Sequence, residues 1–268
     1  MTGKSHDEVR MSAQAQVAAD AVLAPGIVLN GACDIGARCV LAAGVVVDSG
    51  GSGKVVVESD VRIQAGAILY GPLTVARGAL VQAGSVVTRD VPPHAIVAGN
   101  PAQIVGYTSS STQPVALART PGAVGQVDTS VAGVTLHRLP KVLDLRGNLT
   151  VGEFGRSVPF DVKRYFMVFG VPNAEVRGEH AHRICHQFLI CAKGSLSVVA
   201  DDGRTREEFH LDDPSVGLHF PPLIWGIQYK YSADAVLLVF ASELYDSNEY
   251  IRDYGEFVRL AADARGDR

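Results

Sequence analysis

A single tryptophan, three methionines and four cysteines are spread over 268 residues. No excess of positive charge is present: 24 basic against 28 acidic side chains leave a formal net charge of −4. A nucleic-acid partner, which calls for a basic patch or stripe, is therefore not indicated. Apolar runs approaching the roughly 20 residues that span a bilayer are missing. The N-terminal MTGKSHDEVRMSAQ lacks the apolar stretch of a signal peptide, so a cytoplasmic location is the expectation. Cys33, Cys39, Cys185 and Cys191 have no CxxC spacing and are too few for a disulfide scaffold; they read as buried, reduced thiols.

What is present is a period. Large aliphatic residues recur every six positions at Val17, Leu23, Leu29, Ile35, Leu41 and Val47, and again at Val57, Ile63, Leu69, Val75, Val81 and Val87. A helix would space them by three and four, a plain strand by two. Sixes fit short strands turned at tight corners, with Gly26, Gly36, Gly44, Gly66, Gly78 and Gly84 supplying the corner backbone. Three hexads close one triangular coil, so about four coils are expected to stack into a prism over residues 1–107.

With its closing segment GSVVTRDVPPHAIVAGNPAQIVGY, this region resembles the hexapeptide-repeat acyltransferases, which implies a left-handed parallel β-helix and a trimeric habit. The catalytic histidine typical of that superfamily has no clear counterpart. His6 precedes the repeats, His94 lies in the exit segment, and the one break in the repeat, DSGGSGK at 48–54, offers no base. A structural or oligomerising module is the expectation. A bifunctional chain that also transfers acetyl from acetyl-CoA is the alternative; otherwise no cofactor is expected.

Periodicity stops at residue 108. Residues 108–133 are rich in Ser, Thr, Pro, Gly and Ala and read as a linker. From 134 to 268 the pattern becomes that of an antiparallel β-barrel. Strands are expected in VKRYFMVFGVP, FLICAKGSLSVVA, VGLHFPPLIWGIQYKY and AVLLVFAS, followed by a short helix with Tyr250, Ile251, Tyr254, Phe257, Val258 and Ala261 at helical spacing.

The densest chemistry is RGEHAHRICHQF, residues 177–188. On one continuous strand His180, His182, Ile184, His186 and Phe188 share a face, with the first two imidazoles about 7 Å apart by strand rise. Two neighbouring imidazoles suit acid/base chemistry near neutral pH. The metal alternative, a site of His180, His182 and His186, stays open, although Gln187 and Trp225 occupy positions where a metal-binding cupin would place ligands.

RGEHAH, LICAKGSLSVVADDG, GLHFPPLIW and LLVFASELYDSNEYIRDYGEF together resemble the dTDP-4-keto-6-deoxyhexose 3,4-ketoisomerases of the cupin superfamily. The resemblance implies a ketone moved from C4 to C3 of a dTDP-linked sugar in deoxyamino-sugar biosynthesis, of the kind that feeds lipopolysaccharide O-antigen. His180 and His182 are then the catalytic pair. Arg164 and Arg177 are candidates for the diphosphate, Trp225 for the sugar or base pocket, and Tyr165 and Gln187 for substrate contact. Where the family continues with tyrosines after Lys-Arg, this chain has Tyr165 and Phe166, and Tyr165 alternates to the opposite face. Solenoid trimers joined through barrel dimers imply a homo-oligomer, a hexamer in the simplest case.

Overall fold

The computed structural model describes residues 9–51, 53–108, 124–172 and 175–267. The chain divides into two compact units, Met1–Thr108 and Ser109–Arg268.

The first unit is a β-solenoid. Three parallel sheets run up its sides, of five, four and six strands, the last including an antiparallel closing hairpin, Ala95–Gly99 with Ala102–Tyr107. Cα partners on successive coils lie 18 residues apart, as in Val28↔Val46 (46 − 28) and Leu73↔Val55 (73 − 55). Three hexads are 18 residues, so each hexad forms one side of the triangle. The step widens to 22 at Cys33↔Val55 (55 − 33), where residues 48–54 enter the coil. The repeated aliphatics fill the axis: Leu29, Leu41, Val47, Ile63, Leu69 and Val81 are at most 1% exposed. The five-stranded sheet begins at Arg10–Met11, so the stack has one coil more than the repeat suggested. Five of the six corner glycines have positive φ. Gly36 does not; it is required by close approach, since a Cβ there would stand 2.8 Å from the carbonyl carbon of Glu58.

The second unit packs two antiparallel sheets face to face. One runs in the order Gly125–Asp128, Thr135–Arg138, Val216–Phe220, Gln187–Lys193, Val236–Ala241, Arg164–Phe169. The other runs Arg206–Leu211, Leu196–Asp201, Trp225–Tyr229, Arg177–His182, Tyr250–Ile251. Leu189, Leu196, Val198, Leu218 and Leu237, each at most 1% exposed, form the core between them. Residues 125–128, assigned to the linker by composition, are an edge strand of the first sheet; residues 109–123 of that linker lie outside the described residues. Helix Tyr254–Arg265 closes the unit. The Asp253 carboxylate accepts from the Glu256 amide at its N-terminus, and Gly266 terminates it in the left-handed conformation. Phe257 and Ala261 are its buried face. Among the described residues no helix is long and apolar enough to cross a membrane, and all four cysteines are free and buried.

Candidate active site

The Arg177–His182 strand contains a β-bulge. Gly178 pairs with Ile227 and His180 with Gly226, leaving Glu179 as the extra residue, with φ +54 beside a Gly178 φ of +85. A bulge re-aims the side chains that follow it. Here it turns His180 so that its Nδ1 lies 2.9 Å from the Gly178 carbonyl. The two rings stand 5.0 Å apart between centroids, edge to face, closer than regular strand rise would place them.

His182 is 6% exposed. Its Nε2 lies 3.0 Å from Nε2 of the Gln187 amide, and its Nδ1 is buried without a partner among the described residues. In the adjacent strand Tyr250 is the direct partner of His182, so the side chains share a face. The Tyr250 ring lies 4.5 Å from His182 and 4.9 Å from His180, with the Arg252 guanidinium 4.6 Å from its own centre. Burial holds both imidazoles below the ordinary histidine range. His182 is pushed down to about 3, with help from His180, Arg164 and Arg252. Both rings are thus neutral at physiological pH and able to accept or pass a proton. The narrow cleft they line is completed by Gln187, Phe220, Ile224, Gly226 and Gln228.

Continuous alternation fails past His182. The strand ends there, the chain bends through Arg183–His186, and the next strand begins at Gln187. The Glu249 carboxylate fixes the bend by accepting from the amides of Ile184 and Cys185 at 3.1 and 3.0 Å. This break reverses the parity. Gln187 turns inward to His182, while His186 and Phe188 turn to the outer face of the other sheet. A metal site of His180, His182 and His186 is therefore corrected: His186 instead bonds His219 (Nδ1···Nε2, 3.0 Å). Among the described residues no three His, Cys, Asp or Glu side chains converge as a metal-ligand set.

Arg164 reaches the site. Its Nε donates to the Glu243 carbonyl at 3.0 Å, and its charge acts on His182. Arg177 is exposed at the far end of the histidine strand, and its charge acts on the buried Tyr231. Tyr165 is 64% exposed on the outer face, because Arg164 and Phe166 take the inward parity of their strand. Trp225 is also displaced from its expected place. Its strand turns Gly226 and Gln228 to the cleft, while Trp225 packs 5.2 Å from Tyr254 and 5.5 Å from Phe257 of the helix. Glu249 and Arg252 were not singled out from sequence, and Tyr250, expected with Ile251 in the terminal helix, lies instead in the short strand Tyr250–Ile251 paired with the histidine strand. All lie within the YDSNEYIRDYGEF motif, which carried the signal without showing which of its residues meet the histidines.

A family model described as FdtA: WxcM-like, C-terminal, matches residues 132–262. A TDP-4-oxo-6-deoxy-alpha-D-glucose-3,4-oxoisomerase of Aneurinibacillus thermoaerophilus is 40% identical over 122 residues, 46% of this chain and 88% of that protein. A solved structure of QdtA, a sugar 3,4-ketoisomerase from Thermoanaerobacterium thermosaccharolyticum in complex with TDP, is 36% identical. It covers 50% of this chain and 97% of its own, with a TM-score of 0.49. A 2,3,4,5-tetrahydropyridine-2,6-dicarboxylate N-acetyltransferase of Staphylococcus aureus is 41% identical over 75 residues, 28% of this chain; the chain spans 30% of that protein. Through residues 132–262, the chain belongs to the FdtA family of 3,4-oxoisomerases.

Proposed function

We propose that the second unit is an isomerase that converts TDP-4-keto-6-deoxyglucose to the 3-keto sugar. The observation that carries this is the pair of neutral imidazoles, one buried and one half-buried, 5.0 Å apart, with different nitrogens engaged. The substrate comes from the 40% identical oxoisomerase, which acts on that class of sugar nucleotide by its name.

In the proposed reaction the C3 proton leaves to a base and the C4 carbonyl oxygen gains a proton, giving an enediol. The C3 hydroxyl proton is then lost as C4 is protonated, so no atom is gained or lost overall. His180 is the better placed base. A carbonyl can only accept, so its Nδ1 donates to Gly178 and its Nε2 keeps a lone pair. His182 polarises the ketone or carries the hydroxyl proton. Arg164 and Arg252, whose charges both reach His182, are the cations offered to the diphosphate, where a guanidinium fork fits phosphate oxygens. No metal or other cofactor is invoked for this chemistry.

Incubation with TDP-4-keto-6-deoxyglucose, followed by NMR of the product and of deuterium entry from D₂O, tests the reading. His180→Asn and His182→Asn are each expected to lower turnover by about 10²–10⁴ without unfolding the barrel. Full activity in both variants would overturn it.

For the solenoid we propose a structural, assembling role. Exposed Val22 and Val40 on one solenoid face, and Tyr165, Met167 and Phe169 on an outer barrel face, support a homo-oligomer, with a hexamer of solenoid trimers and barrel dimers as the specific form. A monomer by light scattering would remove it. The acetyltransferase relative favours a second reading, transfer from acetyl-CoA to an amino sugar, which acetyl-CoA turnover with a TDP-amino sugar decides. His94 lies against Gly78, with its Nδ1 2.4 Å from where a Cβ would be, and is the histidine to replace in that assay. The four buried free thiols accord with a cytoplasmic location.

A further inference from the structure

We propose that Gln187 is a positioning residue: its side-chain amide holds His182 in the Nδ1–H tautomer, making His182 the hydrogen-bond donor of the pair and leaving the role of base to His180. This rests on the isomerase reading for its consequence, though not for its geometry.

A glutamine amide nitrogen can only donate. At 3.0 Å from His182 Nε2, it requires that nitrogen to accept, and a neutral ring then carries its proton on Nδ1. That Nδ1 is buried and has no partner among the described residues, so this ring carries an N–H that none of them accepts. His180 is the mirror case, with its Nδ1 proton engaged by Gly178 and no hydrogen-bond partner for its Nε2 among the described residues. One ring thus offers a lone pair and the other an N–H, the two complementary functions that a keto–hydroxyl exchange uses.

The surroundings make a neutral partner at position 187 necessary. His182 feels His180 on its own strand, Arg164 and Arg252 from other segments, and the Tyr250 ring opposite. The nearby Glu249 carboxylate is engaged by two backbone amides. A carboxylate in place of Gln187 would invert the arrangement: it would accept from Nε2–H and favour the imidazolium. The chain break at Arg183–His186 is what brings Gln187 inward, so the positioning residue and the bend that delivers it form one device.

The test uses the full chain with ¹⁵N-labelled histidine, and the variants Gln187→Glu and Gln187→Leu. In the ligand-free wild type, His182 is expected to show a protonated Nδ1 and an unprotonated Nε2. Gln187→Glu should move the proton to Nε2 and bring a titration of this ring into the neutral pH range. Both variants should lower kcat by at least about tenfold, less than loss of a proton-transferring group itself, with KM within about threefold and an unchanged far-UV circular dichroism spectrum. Should Gln187→Leu fail to fold, the near-isosteric Gln187→Glu carries the test. An Nε2–H tautomer in the wild type, or wild-type kcat in Gln187→Glu, overturns the proposal. Because the tautomer is read without substrate, a wild type that does not turn over the TDP-sugar would overturn the isomerase reading while leaving the Gln187 assignment to be judged by the spectrum.

Discussion

Acid should destabilise the second unit well before its carboxylates protonate, and the size of the effect follows from two histidines. Burial pushes His182 down to about 3 and His219 to about 4, from an ordinary 6.5. A histidine with a lowered folded pKa binds fewer protons folded than unfolded. Its penalty is therefore absent above 6.5 and grows as pH falls toward the folded value. At about pH 5 each unfolded ring is protonated and each folded ring is still neutral. The penalty is then about 1.5 pH units at 1.36 kcal/mol, or about 2 kcal/mol per ring and about 4 kcal/mol together. The figure is insensitive to the folded values, since both lie below the pH of the measurement. His137 and His186, also lowered chiefly by burial, act in the same direction. The only tryptophan, Trp225, is buried against the terminal helix of this unit, so its fluorescence reports this unit's unfolding alone. Urea titrations at about pH 7.5 and about pH 5 should show the loss, and His219→Gln should recover about half of it. Equal stabilities at the two pH values would refute the reasoning.

Two further outcomes follow from the packing. Gly178→Ala would place a methyl 2.6 Å from the Gly226 carbonyl at a φ of +85. It should misdirect His180 and reduce kcat by about tenfold or more, as loss of a positioned acid/base group does; wild-type kinetics would show that the bulge does not aim the ring. Tyr254→Phe removes a hydroxyl that donates to Asp201 at 2.6 Å and accepts from Arg206 at 3.0 Å, beside a buried Arg206–Asp201 ion pair at 2.7 Å. A loss of about 1–3 kcal/mol is expected by urea unfolding, and an unchanged midpoint would mean that the helix is not held through this group.

The hexad repeat by itself determined the solenoid, because every coil repeats the same local problem: an aliphatic residue inward, a corner, another side. The alternating runs and turn residues likewise determined that the second unit is antiparallel β. The helix was legible in the spacing of Tyr254, Phe257, Val258 and Ala261, but that spacing also took in Tyr250 and Ile251, which pair as a strand, so the start of the helix was not. The motif RGEHAH named His180 and His182 without any coordinates. What the sequence could not carry was parity across an interruption. Period-two alternation is valid only while a strand continues, and whether it continues past His182 depends on the Glu249 carboxylate, 64 and 65 residues away in the chain. That long-range contact exchanged His186 for Gln187 in the site and joined His186 to His219 elsewhere. The same dependence on strand facing sent Trp225 to the helix and Tyr165 to the outer surface, and brought in Tyr250 through register pairing with His182. Local composition chose the residues able to do the chemistry; the pairing of distant strands decided which of them meet.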